Sequence, residues 1–581
     1  MANRIAPNAA PLSGTHNVRG QNPIHHARRL KVICIGAGAS GLLLAYKLQR
    51  SFENFELVVY EKNDAVSGTW YENKYPGCAC DIPAHLYTWT FDPNPNWSSV
   101  YASSDEIFQY FERLADKHNL RQYVKLQHLV SKAVWNVAAG IWDIEVVNTK
   151  DGTVVNDTCH ILVNAGGALN TWKWPDIAGL NKFKGKLLHT ANWDQSVDLV
   201  GKHVGLIGNG SSAIQVLPAI YDKVSKITTF IRSPTWVTPV QDVPARKYTD
   251  EQRQSYAKNP NALLKYRKEL ETRANGLFNI MTTGSPAQER VKANFTALMK
   301  GKLQDERLES LIVPKWSVGC RRLTPGVGYL EALRSEKTEV VYGPIKTVTE
   351  TGVKVEGIAE KSVDVLICAT GFDTSYRPRF PIIGSTGKSL SDAWADECRS
   401  YFGLAVPGFP NYFMFVGPNS PVANGTLLVA VGKSSHSIAV LVLTENIQSF
   451  SPKDTAVDEF IEFKDKFMEH TVWNEDCRSW YKTNSVSGKV TALWPGSTLH
   501  YLEALAEPRY EDWDFTYTGN RYAYLGNGFS QAESDRTADW AYYIRNEDNG
   551  PYLSRSKQMK ILSKSGTVAR PPAKSVIRSL L

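Results

Sequence analysis

Long apolar runs are missing from this 581-residue chain: the greasiest piece, residues 438–443, falls far short of the about 18 residues that cross a bilayer. The first thirty residues lack a hydrophobic signal core and read as a polar arm, which predicts a cytoplasmic protein that meets no membrane. Basic residues outnumber acidic ones, 66 to 58, yet no dense Lys/Arg block exists. That distribution argues against nucleic acid and suits an anionic small molecule met by a few arginines. The eight cysteines (34, 78, 80, 159, 320, 368, 398 and 477) are scattered without a Cys-x2-Cys pair. Neither a zinc or other metal site nor a disulfide framework is expected. What is there is ordinary globular composition, 43% hydrophobic and 21% charged, on a chain long enough for about two to four domains.

Two glycine-rich turns stand out. Residues 30–35, LKVICI, read as a short buried strand ending at Gly36-Ala37-Gly38-Ala39-Ser40-Gly41, after which apolar residues continue at helical spacing. Glycines there allow a tight turn and close approach of a pyrophosphate, whose charge sits on the helix N-terminus. The next strand ends at Glu61, twenty residues after Gly41, where a carboxylate can take both hydroxyls of an adenosine ribose. The pattern recurs at 202–207 with Gly208-Asn209-Gly210-Ser211-Ser212-Ala213. Its following strand ends in Arg232 and Ser233 instead of an acid. An arginine there suits a 2′-phosphate through charge-assisted hydrogen bonds, which favours NADPH over NADH; the bland alternative is a solvated arginine at a strand end.

Between the two turns lies FKGKLLHTANWD, residues 183–194, with Phe183, Gly185, His189, Trp193 and Asp194 spaced as F-x-G-x3-H-x3-W-D. From the residues alone it is an interdomain linker. Its pattern resembles the fingerprint of the type I Baeyer–Villiger flavin monooxygenases, of the branch found in fungi; related N-hydroxylating enzymes usually lack the Trp-Asp ending. Ser67-Gly68-Thr69-Trp70 and Tyr75-Pro76-Gly77-Cys78-Ala79-Cys80-Asp81 resemble the family loop that closes over the flavin, with Ser67 where a glycine or small apolar residue is usual. Asp81 reads either as a turn cap before Ile82-Pro83 or as an acid beside the flavin that orients an arginine. Gly319-Cys320-Arg321-Arg322 is similar to the family's Gly-x-[Lys/Arg]-Arg element, so the resemblance makes Arg322 the active-site arginine and Arg321 a support for the nicotinamide cofactor. Ala369-Thr370-Gly371 matches the family's ATG element, and Trp480 falls in a piece whose tryptophan lies over cofactor and substrate, with core packing as the alternative. The Cys-x4-Cys dithiol of flavin disulfide reductases is absent after the first turn.

These pieces predict an α/β fold with two Rossmann-like dinucleotide-binding domains, for FAD and NADPH, a helical insertion and a small antiparallel β insertion. The expected order starts with an arm (1–29), the first segment of the FAD-binding domain (30–170) and the first segment of the NADPH-binding domain (171–232). A helical insertion (233–310), the second NADPH-binding segment (311–365), the second FAD-binding segment (366–520) and a C-terminal extension (521–581) follow. Residues 132–147 and 153–163 read as one β-hairpin around Asp151-Gly152. The resemblance implies oxygen insertion from O2 beside a ketone carbonyl to give an ester or lactone, through a C4a-peroxyflavin, with NADPH as reductant and NADP+ retained during turnover. Arg322 would stabilise the anionic species, Asp81 would orient it, and His189 would act conformationally rather than as an acid or base. Rival readings are an N- or S-oxygenating flavin monooxygenase and a non-oxygenating FAD/NADPH-binding redox protein. Aromatic richness points to a bulky apolar ketone; monomer and homodimer both stay open.

Overall fold

The computed structural model describes residues 22–26, 28–237, 243–423, 425–440, 446–535 and 537–544. Most of the expected N-terminal arm and the basic tail lie outside the described residues. Two compact units emerge, one from the chain termini and one from Ala27–Arg521. In the first, the Ile24 N–H donates to the Phe529 carbonyl and His25 stacks on Tyr524.

The second unit is built on two five-stranded parallel sheets. Its strands run β1 (Leu30–Ile35), β2 (Phe55–Tyr60), β3 (Val124–Lys125), β4 (His128–Asn136), β5 (Ile141–Asn148), β6 (Val154–Cys159), β7 (Ile161–Asn164), β8 (Lys186–His189), β9 (His203–Ile207) and β10 (Lys226–Ile231), then β11 (Thr338–Tyr342), β12 (Ile345–Val348), β13 (Gly352–Val355), β14 (Lys361–Ser362), β15 (Val365–Cys368), β16 (Ile382–Ile383) and β17 (Tyr412–Met414). One sheet has the order β17-β7-β1-β2-β3 and the other β11-β10-β9-β15-β8. Their near-continuous Val/Ile/Leu runs are buried on both faces, as parallel strands covered by helices require. Helix α1 (Ala39–Ser51) buries Leu42, Leu43, Leu44 and Leu48 against the first sheet. Each such leucine contributes about 1.5–3 kcal/mol by leaving water.

Helices α2 (Thr69–Glu72), α3 (Ser104–Lys117) and α4 (Ser211–Ile220) follow in order, with α4 carrying the second glycine turn. The charged stretch between β10 and β11 folds as α5 (Asp250–Lys258), α6 (Pro260–Gly276), α7 (Pro286–Leu303) and α8 (Glu306–Ile312). Thr249 and Gln252 cap α5 reciprocally, and α6 and α7 each begin with a proline behind an Asn259 or Ser285 cap. Among the described residues no helix is long and apolar enough to cross a membrane.

Two local readings change. The stretch 132–147 is not one arm of a hairpin: Gly140, at φ +66°, turns the chain, so β4, β5 and β6 form three antiparallel strands. The stretch 183–194 is not simply a linker. Its residues 186–189 are β8, paired with β15 at the edge of the second sheet; four residues flanked by glycine and polar residues are too few to show a strand period.

Candidate functional site

A cavity of about 1550 Å³ runs along the C-terminal ends of both parallel sheets, where such folds collect ligands. At its first end, β1 gives way to Gly36, whose φ of +101° and approach to the Ala165 carbonyl leave no room for a Cβ. A Cβ on Gly41 would lie 2.0 Å from the Gly36 carbonyl oxygen, so this glycine packs under the turn instead of lining the cavity. Gly36, Gly38 and Ser40 line it. Helix α1 begins at Gly38 without a side-chain cap or first-turn acid, leaving N–H groups and the positive end of the helix dipole for an anion. Glu61 is buried; its carboxylate accepts the Ala37 N–H (2.8 Å) and the Asn63 N–H (2.9 Å). Burial raises its pKa while those two bonds oppose the shift.

Gly68, Thr69, Trp70 and Tyr75 line the same side. Ser67 adopts φ +84°, a left-handed conformation that explains why glycine would be at home there; its hydroxyl donates to the Phe108 carbonyl. The Tyr75 hydroxyl donates to Gln215 on α4 (2.8 Å), and Gln215 donates in turn to the Ala79 carbonyl (2.9 Å). The loop leading to Asp81 is thereby clamped to the second nucleotide helix.

At the other end, Gly208 (φ +112°) meets the Ala369 carbonyl, and α4 starts uncapped at Gly210, where a Cβ would meet nothing within 4 Å. Gly208, Gly210, Ser211, Ser212, Arg232 and Ser233 all line the cavity, as do Thr370, Gly371 and Trp480. Ser211 shares a 2.7 Å hydrogen bond with Thr324. Arg321 donates to the Pro234 carbonyl (2.9 Å) and to Ser233 Oγ (3.3 Å). Burial first, then the neighbouring charges of Arg232 and Arg478, pull its pKa down to about 10.

Between the two ends, Arg322 donates from Nε and Nη2 to the two oxygens of Asp81, both at 2.8 Å, and from Nη1 to the Val422 carbonyl at 2.8 Å. Asp81 is therefore no turn cap. Burial alone would disfavour the guanidinium charge, but attraction and hydrogen bonding to Asp81, with Tyr481 alongside, more than offset it and hold the pKa above the arginine norm. Gly319, at φ +93° with Met281 against it, lets the chain turn before Arg321 and Arg322.

The five residues Phe183, Gly185, His189, Trp193 and Asp194 do not line the cavity. Phe183 packs over Gly185, Trp193 against the second core, and exposed Asp194 accepts from the Ser196 N–H. His189 is fully buried between Trp172 and Trp174. Its Nδ1 accepts the Ala191 N–H (3.1 Å), so Nε2 carries the proton and donates to Thr370 (3.1 Å), which does line the cavity. Burial lowers its pKa to about 4.

One feature overturns the expectation of no disulfide: Cys320 and Cys477, 157 residues apart, are bridged. Eight scattered cysteines in sequence do not reveal which two the fold brings together. Gln215, Thr324 and the Val422 carbonyl also escape a reading of the sequence. Gln215 had a signal, lying one helical turn beyond Ser211 and Ser212; a backbone carbonyl has none.

Two uncapped nucleotide turns opening on one cavity, with a paired arginine between them, define a two-dinucleotide oxidoreductase. Residues 34–104 match the family described as an NAD(P)-binding Rossmann-like domain. The FAD-binding monooxygenase tazF of Aspergillus terreus is 39% identical over 535 residues, covering 89% of this chain and 95% of its own. A Baeyer–Villiger monooxygenase of Streptomyces coelicolor is 32% identical over 483 residues, 81% of this chain and 90% of its own. The crystal structure of cyclohexanone monooxygenase from Rhodococcus sp. Phi1 bound to NADP+ superposes with a TM-score of 0.72 at 26% identity, over 84% of this chain and 100% of that one. The chain belongs to the FAD-binding monooxygenases of the Baeyer–Villiger family, flavoenzymes that use NADPH.

Proposed function

We propose that this enzyme inserts one oxygen atom of O2 beside the carbonyl of an apolar ketone, giving an ester or lactone. In balance, ketone, O2, NADPH and a proton yield ester, NADP+ and water. FAD and NADPH, when bound, supply the activated oxygen and the hydride. The uncapped start of α1 and the carboxylate of Glu61 suit the pyrophosphate and ribose of FAD. The start of α4, Arg232 and Ser233 suit the pyrophosphate and 2′-phosphate of NADPH.

The observation that carries this reading is the Asp81–Arg322 pair. Hydrogen bonds from the guanidinium to Asp81 and to the Val422 carbonyl fix the group, with the Tyr481 hydroxyl alongside. A fixed cation at the cavity stabilises negative charge that develops on the carbonyl oxygen when the ketone is attacked. Asp81 orients the guanidinium and moderates its field. Ile82, Leu277, Met281, Leu323 and Ala423 line a small recess of about 40 Å³ against Arg322 and Tyr481, which puts apolar side chains beside the cation. His189 touches none of this directly; it holds Thr370 in place.

Arg322→Ala tests the assignment. FAD should stay bound and NADPH should still be consumed, while ester formation from a cyclic ketone falls by at least about 100-fold, the loss expected when a preorganised charge is removed. Ester formation at the wild-type rate would overturn the role. A parallel assay with an amine and a thioether distinguishes ketone oxygenation from N- or S-oxygenation.

A further inference from the structure

Three arginines from distant segments converge at the end of the cavity beyond α4. Arg232 follows β10, Arg321 lies in the turn before α9 (Tyr329–Leu333), and Arg478 lies in the turn after Cys477. All three line the cavity. Among the described residues none of them forms an ion pair with a carboxylate, and each recorded bond is to a neutral oxygen: Arg321 to Ser233 and Pro234, Arg478 to the Asn484 carbonyl at 2.7 Å. Their charges are felt mutually, since Arg478 disfavours the charged form of both Arg321 and Arg232, behind burial in each case. Like charges gathered without a counter-charge call for an anionic ligand and for something that keeps them together.

The bridge supplies the second requirement. Cys320 immediately precedes Arg321, and Cys477 immediately precedes Arg478. With the two Cα atoms held 6.4 Å apart, the bridge keeps both cation-bearing turns side by side against their repulsion.

We propose that Arg478 is a third ligand of the NADPH 2′-phosphate, and that the Cys320–Cys477 bridge is the positioning element that keeps it beside Arg321. This rests on the assignment of Arg232 and Ser233 to that phosphate. A phosphate monoester carries nearly two negative charges and several acceptor oxygens, enough to engage more than one guanidinium fork. The bridge makes no contact with reacting atoms; it acts through Arg478 and Arg321.

The test is binding of NADP+ and of NAD+ to the oxidised, FAD-loaded enzyme, followed by calorimetry. Arg478→Gln should weaken NADP+ by about 10- to 100-fold, the worth of one hydrogen bond between charged groups, and leave NAD+ within about twofold. Arg232→Ala should do the same. The double variant Cys320→Ser/Cys477→Ser should weaken NADP+ selectively, and adding Arg478→Gln to it should cost little more. If that variant does not retain FAD, wild-type enzyme reduced with a phosphine provides the comparison. Alkylation of the denatured protein should label six cysteines before reduction and eight after. If Arg232→Ala is selective and Arg478→Gln is not, this inference falls alone; if neither is selective, the phosphate assignment beneath it falls. Equal weakening of both nucleotides by Arg478→Gln makes that arginine structural and overturns its role. Eight labels without reduction, or unchanged affinity after the bridge is removed, overturn the bridge's role.

Discussion

Replacing His189 by glutamine should flatten the acid limb of the stability profile. The imidazole is 0% exposed, held neutral between two tryptophans, with its Nδ1 accepting and its Nε2 donating. Its pKa is lowered from 6.5 to about 4, chiefly by burial. Well above its ordinary pKa of 6.5 the ring is neutral in both the folded and the unfolded chain, so it contributes no pH dependence there. As pH falls below that value the unfolded chain binds a proton that the folded one refuses, and stability is lost until the folded pKa is reached. From about pH 7 to about pH 5 the loss is about 2 kcal/mol from this group alone. Glutamine keeps a donor and an acceptor but does not titrate. Thermal unfolding followed by tryptophan fluorescence, at matched scan rates, should therefore show a smaller drop in midpoint for His189→Gln over that interval. Other low-pKa imidazoles, His85 among them, depress both proteins equally and cancel in the difference. Parallel pH slopes for wild type and variant would refute the reasoning, as would a resonance titrating near pH 6.5 that is assigned to His189 by its loss in the variant.

Gly41→Ala pushes a Cβ to 2.0 Å from the Gly36 carbonyl, backbone against backbone, and should give colourless protein that copurifies without FAD, read by absorbance. Gln215→Leu leaves the Tyr75 hydroxyl and the Ala79 carbonyl without their partner, at a cost of about 1–3 kcal/mol, and should lower the thermal midpoint of the FAD-loaded enzyme. Asp81→Ala removes both carboxylate acceptors from the half-buried Arg322 and should destabilise by about 1.5–3 kcal/mol as well as abolish ketone oxygenation. Asp81→Asn, which keeps an acceptor oxygen, should lose less stability in the same unfolding assay.

The features legible in sequence were those in which backbone need and residue type coincide. Gly36, Gly41, Gly208 and Gly319 sit where a Cβ would collide or φ is positive, so only glycine serves and the spacing shows. Asp81 and Arg322 lie 241 residues apart, and only the likeness of their flanking loops to known ones joined them; the residues themselves carry no pairing signal. The reach of His189 was out of view because a four-residue edge strand looks like a linker, and its partner Thr370 follows the neighbouring strand but lies 181 residues on in the sequence. Cys320 and Cys477 were opaque for the same reason: pairing follows from tertiary approach, which the local pattern does not encode.

The edge of the second sheet has a mechanical consequence. The chain enters that sheet along β8 and leaves it along β15, and these two strands are neighbours, matched from Lys186 with Val365 to His189 with Cys368. Both passages between the sheets thus leave from one hydrogen-bonded ribbon, pinned beyond its end by the imidazole of His189 on Thr370. A movement of one lobe must bend these two coupled tethers in concert, together with the further crossings that seat Tyr248 and Leu270 in the first core and Trp473 and Tyr481 in the second. His189→Ala cuts the pin at Thr370, uncoupling the ends of the two tethers there, while leaving every side chain that lines the cavity chemically intact.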